Sequence, residues 1–195
     1  MAGSNLQAFI DRWQLSCFDD LMERSTTDVE WFTGAVLEFL GIRFSVAPER
    51  AVDLTSGIQR PVWCPGGRLN ITTSCLDRWL ESADSAAGLA LIAELEDGST
   101  RSLTYAQLAT DVGRCANALR DLGLGLGDRV GLYMPMTVEI VVPLLALARL
   151  GSVVLPLFSG FVPSPLAQPL AASSPTRLTP PAAPSPHRPP PTPTP

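Results

Sequence analysis

Apolar positions along the chain first follow a helical period and later a strand-and-helix alternation. Val29, Phe32, Val36 and Leu40 recur at helical spacing, which predicts an amphipathic helix with one buried stripe. Thr27-Asp28-Val29-Glu30 has capping-box form and predicts the start of that helix, while Gly41 predicts its stop. An earlier helix is predicted around Leu6 to Met22. Arg60 to Gly67 packs two prolines and two glycines around Trp63 and reads as an irregular loop anchored by an aromatic. Arg68 to Leu80 turns helical near its end. Tryptophans at 13, 31, 63 and 79 supply large apolar surfaces, which are expected to pack against the segment that follows.

Near Ala86 the pattern changes. Leu89 to Leu95 and Arg101 to Thr104 flank Glu96-Asp97-Gly98-Ser99-Thr100, a hairpin signal. Thr104-Tyr105-Ala106-Gln107 forms a second capping box, opening a helix whose Leu108, Val112, Cys115, Leu119 and Leu122 face one way until Gly123 ends it. A strand at Arg129 to Met134, a helix at Val138 to Leu150, a stop at Gly151 and a strand at Val153 to Leu157 then make a βαβ unit. Its strands are continuous apolar runs, as parallel strands buried on both faces require. Pro143 falls inside the predicted helix, so either a kink or a later helix start is expected. The fold class is therefore α/β: a helical segment over 1–85, the beginning of a parallel sheet over 86–161, and a tail over 162–195. That tail holds 13 of the 19 prolines and no acidic residue; no packed element is expected from it.

Gly123-Leu124-Gly125-Leu126-Gly127-Asp128 imitates a phosphate-binding fingerprint, but its order is wrong. Phosphate loops run from strand through glycines into a helix N-terminus, whose free amides hold the anion. Here the glycines leave a helix C-terminus, where the dipole is negative.

Charge and composition narrow the chemistry. All 19 acidic residues lie at or before Glu139, and all 14 cations are Arg. An acidic body with scattered Arg excludes the clustered basic face that nucleic-acid binding needs. Cys17, Cys64, Cys75 and Cys115 form no C-x-x-C pair, and the one histidine, His187, stands in the tail, so zinc spacing is absent and small buried thiols are expected. Ile140 to Phe158 is long and apolar enough to suggest a membrane span, but Pro143, Arg149, Gly151 and Pro156 interrupt it; a buried helix followed by a buried strand fits better. Without a basic, then apolar, N-terminal run, a cytoplasmic chain is expected.

Several of these motifs together resemble a known family. Leu103-Thr104-Tyr105-Ala106-Gln107-Leu108 through Asn117-Ala118-Leu119, Gly127-Asp128-Arg129-Val130-Gly131-Leu132-Tyr133-Met134-Pro135-Met136, and Leu150-Gly151-Ser152-Val153-Val154-Leu155-Pro156-Leu157-Phe158-Ser159-Gly160-Phe161 resemble the opening of the adenylate-forming domain of AMP-forming acyl-CoA synthetases. Asp28-Val29-Glu30-Trp31-Phe32, Leu40-Gly41-Ile42, Trp63-Cys64-Pro65-Gly66-Gly67-Arg68-Leu69-Asn70 and Cys75-Leu76-Asp77-Arg78-Trp79 resemble the N-terminal helical cap of the acetyl-CoA synthetase branch. Thr33, where the pattern has a second aromatic, and Pro143 depart from it.

The resemblance implies an N-terminal portion of an enzyme that joins a carboxylate to CoA with ATP and magnesium through an acyl-adenylate. Negative charge grows on the α-phosphate and the leaving pyrophosphate, and cations and donors must neutralise it. The family does this with a phosphate loop ending in Pro-Lys, an acidic magnesium ligand, a ribose-binding Asp and a mobile Lys. This chain has no such loop and no Lys, and Arg, a planar fork, is no equal replacement. No catalytic residue, metal ligand or resident cofactor is therefore expected in this chain. The resemblance carries over one edge only: Phe158, Ser159 and Gly160 would border the CoA nucleotide, giving CoA a partial site.

Beyond Phe161 the family pattern is expected to stop, with a displaced reading frame as its expected cause; the two strands would then keep open apolar edges. A non-catalytic module stands as the alternative. It would associate with a full-length homologue, or offer Pro189-Pro190-Pro191-Thr192-Pro193 as polyproline II to an SH3-like groove.

Overall fold

A computed structural model describes residues 3–95, 97–158 and 177–179. The chain divides into two compact units, Met1–Ser74 and Cys75–Pro195.

In the first unit, Ser4 caps α1 (Asn5–Arg12) by accepting from the Gln7 amide. The predicted single helix over 6–22 breaks into two, because Gln14 takes a left-handed φ of 53° and α2 (Phe18–Thr27) starts afresh. No Gly or Pro marks that break; the aromatic packing of Trp13 accompanies it. The next helix, α3 (Val29–Phe39), begins where predicted, but Asp28 is the cap, its carboxylate accepting from the Trp31 amide at 2.9 Å. Thr27 cannot serve, since it is still the last turn of α2 and its hydroxyl donates to the Glu23 carbonyl. Asp28 thus ends one helix and starts the next, and α2 and α3 touch across that junction. Gly41 follows with φ 62°.

Aromatic side chains fill this unit's core. Phe9, Ile10, Leu21 and Ala35 are buried, with Trp13, Trp31, Phe32 and Phe39 around them. Phe9 meets Phe32 and Phe39 edge-on at 6.2 and 5.2 Å, and Trp13 meets Trp31 edge-on at 6.2 Å, the arrangement that ring quadrupoles favour. Trp13 and Trp31 therefore pack on each other within this unit. Trp63 is no anchor: it lies in β2 (Val62–Trp63), paired antiparallel with β1 (Val52–Asp53), and is 54% exposed. Short α4 (Ile71–Cys75) spans the division between the units.

The second unit opens with a 3-10 helix, Asp77–Leu80, and α5 (Ala83–Ala87). Trp79 stacks on Tyr105 at 5.2 Å, and the Arg149 guanidinium pairs with Asp77. The hairpin forms as predicted from β3 (Leu89–Glu94) and β4 (Thr100–Thr104), its turn held by Asp97 accepting from the Ser99 amide. The Thr104–Gln107 capping box is complete: the Thr104 hydroxyl accepts from the Gln107 amide, and the Gln107 side chain accepts from the Thr104 amide. It opens α6 (Tyr105–Asp121). Leu108 and Val112 are buried as predicted, with Ala116 joining them, while Leu122 lies past the helix end and is exposed.

The βαβ unit is present with the predicted order: β5 (Arg129–Met134), α7 (Val138–Leu150) and β6 (Val153–Phe158), the strands parallel in register from Arg129↔Val153 to Met134↔Phe158. The helix runs through Pro143 and starts where predicted; the proline removes only the amide that would reach the Glu139 carbonyl. Gly151 ends the helix at φ 74°, a left-handed position that side chains disfavour. Ala146 joins Leu76, Leu108, Val112 and Ala116 in one core cluster, and Leu147 joins Leu124 and Val130 in another.

One element contradicts the expectation of a tail without packed structure. Arg177–Thr179 forms β7, parallel to β5 and on the side opposite β6, so the sheet order is β6-β5-β7. The segment is a proline-free gap between Pro175 and Pro180, so its amides can join a ladder, and β5, buried through Val130 and Leu132, requires a neighbour on each side. The rest of 162–195 lies outside the described residues.

Candidate functional site

Parallel strands present ligands at their carboxyl ends, which here means Met134 and Phe158, paired side by side. Phe158 is the last residue of β6, at the expected CoA edge; Ser159 and Gly160 lie outside the described residues. After β5, Pro135 and an 84% exposed Met136 lead to Thr137, the extended N-cap of α7, whose side chain makes no capping bond. Glu139 occupies that helix start instead. The Thr137 hydroxyl, then the Glu139 amide, then the Arg101 guanidinium hold its carboxyl below the usual range. A carboxylate already answers the positive helix end, so a phosphate there would meet like charge.

The glycine run keeps its amides for itself. It leaves α6 at Gly123 with φ 84° and enters β5. The Gly125 amide donates to the Asp128 carboxylate at 2.8 Å, and the Gly127 amide donates to the Gly151 carbonyl at 3.0 Å. The Ser152 hydroxyl donates to the Gly125 carbonyl at 2.7 Å. An acidic residue bound inside the loop makes it a structural turn.

In the first unit, an apolar hollow of about 250 Å³ is lined by Asn5, Leu6, Phe9, Leu21, Phe32, Val36 and Phe39. It brings no nucleophile, acid or base together, so it performs no chemistry by itself. Among the described residues no group of three His, Cys, Asp or Glu could hold a metal ion, and no helix is long and apolar enough to cross a membrane. The apolar run from 140 to 158 is indeed helix followed by strand. Cys17 and Cys75 are exposed, against expectation, and Cys64 and Cys115 are half-buried; desolvation pushes the Cys115 thiol upward, away from the reactive thiolate. Sequence reasoning missed Arg101–Glu139, Arg149–Asp77 and Trp79–Tyr105, because partners 26 to 72 positions apart leave no local signal.

With this geometry, a profile of the family described as AMP-binding enzyme matches residues 82–187, more than half of the chain. The chain belongs to the AMP-binding enzyme family. Its match runs past Phe161, where the family pattern was expected to stop, and takes in β7. Acetyl-coenzyme A synthetase of Thiobacillus denitrificans is 46% identical over 51% of this chain and 15% of its own length. The corresponding protein of Laribacter hongkongensis is 35% identical over 75% of this chain and 22% of its own. Among solved structures, acetoacetyl-CoA synthetase from Streptomyces lividans superposes with a TM-score of 0.78 at 26% identity, covering 91% of this chain and 28% of that one. Brucella canis acyl-CoA synthetase gives 0.51 at 30% identity, over 56% and 20%. The chain thus spans roughly a fifth of the length of such curated relatives.

Proposed function

We propose that the chain is an N-terminal portion of an AMP-forming acyl-CoA synthetase and that, alone, it does not adenylate a carboxylate. The observation that carries this reading is its coverage of 28% of the acetoacetyl-CoA synthetase chain at a TM-score of 0.78. The lack of any Lys supports it, since adenylation builds charge that fixed cations must stabilise. So does the Glu139 carboxylate in the first turn of α7, which disfavours a phosphate at that helix N-terminus. The purified chain, given ATP, magnesium, CoA and a panel of acetate, propionate and acetoacetate, is expected to release no pyrophosphate above a no-enzyme blank. Release above that blank overturns the reading.

Within the whole enzyme, Phe158, Ser159 and Gly160 would form one edge of the CoA site at the carboxyl end of β6. Titration of the labelled chain with CoA should shift amides at 158–160 and leave the hairpin unmoved; uniform or absent shifts count against it. Association with a full-length relative is the second reading, favoured by the chain's covering only 28% of the acetoacetyl-CoA synthetase chain on which it superposes. Co-purification with such a relative, with and without residues beyond Phe161, tests it.

A further inference from the structure

We propose that Arg177–Thr179 is a built-in strand strap, which closes the side of β5 opposite β6 and so denies that edge to a strand from a second copy of the chain. The register carries the argument. β7 pairs Val130↔Arg177, Gly131↔Leu178 and Leu132↔Thr179, opposite the stretch of β5 that lies deepest, with Val130 and Leu132 each 1% exposed. Backbone groups at such positions are costly to leave unpaired, and an open apolar edge recruits another strand. The 159–176 stretch is long enough for the crossover that a parallel neighbour needs. Pro175 and Pro180 bracket the strap in sequence, and neither has an amide to donate to a recruited strand. Arg177-Leu178-Thr179 can serve here because the ladder is a backbone interaction and asks little of side-chain identity.

The test compares Leu178→Pro, which removes one strap amide, with Ala182→Pro, which adds a proline outside the strap. Amide hydrogen exchange over Arg129–Met134 and sedimentation velocity of the full chain are the readouts. For Leu178→Pro the proposal expects β5 to exchange about tenfold faster or more, or to stay protected in a self-associated chain whose second copy supplies the missing strand. The Ala182→Pro chain should match the parent. A peptide of residues 174–181 added in trans should restore protection and reverse any association, including when the β3–β4 hairpin has also lost protection. Unchanged exchange in a Leu178→Pro monomer overturns the strap, as does a general loss of protection that the peptide does not reverse.

Discussion

The two units solve the same problem with different materials. The first surrounds four buried residues with Phe and Trp rings on short helices, and the Trp13 indole N–H finds no acceptor among the described residues. The second uses a 17-residue helix with a complete capping box, a 13-residue helix with a glycine stop, and parallel strands in unbroken register. Its elements are individually specified; those of the first are specified by one another. The first unit should therefore tolerate core damage less well, since a lost ring removes the partner that several short helices share.

Core truncations give the largest effect that can break this comparison. Phe9→Ala should cost about 3–5 kcal/mol and Leu132→Ala about 2–5, each moving the urea transition of its own unit when exchange is followed segment by segment. If both variants move one shared transition, the units are not separately stable and the contrast fails.

Backbone strain comes next. Gly151→Ala forces a side chain into φ 74°, which costs about 1–2 kcal/mol. An added Cβ would also lie 2.6 Å from Leu126 Cδ1, but Leu126 is exposed and can swing away, so the backbone decides the outcome. A loss well above that range would show that the Leu126 contact is rigid.

Caps sharpen the reassignment of the first unit. Thr104→Ala and Asp28→Ala should each lose about 1 kcal/mol, and Thr27→Ala should stay within about 0.5. Equal losses at Thr27 and Asp28, read from thermal melts, would restore the cap that the motif alone suggested.

The smallest effect is a pH dependence. Glu139 has its carboxyl below the usual range through Thr137, its own amide and Arg101. Its stabilisation is therefore present above the ordinary carboxylate value and lost as pH falls through the lowered one. Glu139→Gln should flatten that part of the acid limb; an unchanged limb would remove Glu139 from the account.

Legibility followed the same contrast. Hairpin, second capping box, βαβ order and glycine stops were readable because each has a short-range cause: a turn residue, a side chain reaching three positions, an apolar run, a left-handed φ. Thr27 failed as a cap because its motif is valid only if the residue lies outside a helix, and the preceding helix had not yet ended. Gln14 gave no warning of its break. Of the candidate CoA edge, only Phe158 could be placed, at the end of β6.

What the sequence determined by itself, then, was the α/β class, the family resemblance and a chain whose cations are all Arg. Tertiary structure alone decided that Trp13 and Trp31 pack together, that Arg149 meets Asp77, and that Arg177–Thr179 becomes a strand. These last depend on surfaces far apart in the chain, and a residue's own neighbours carry no record of what the fold will bring against it.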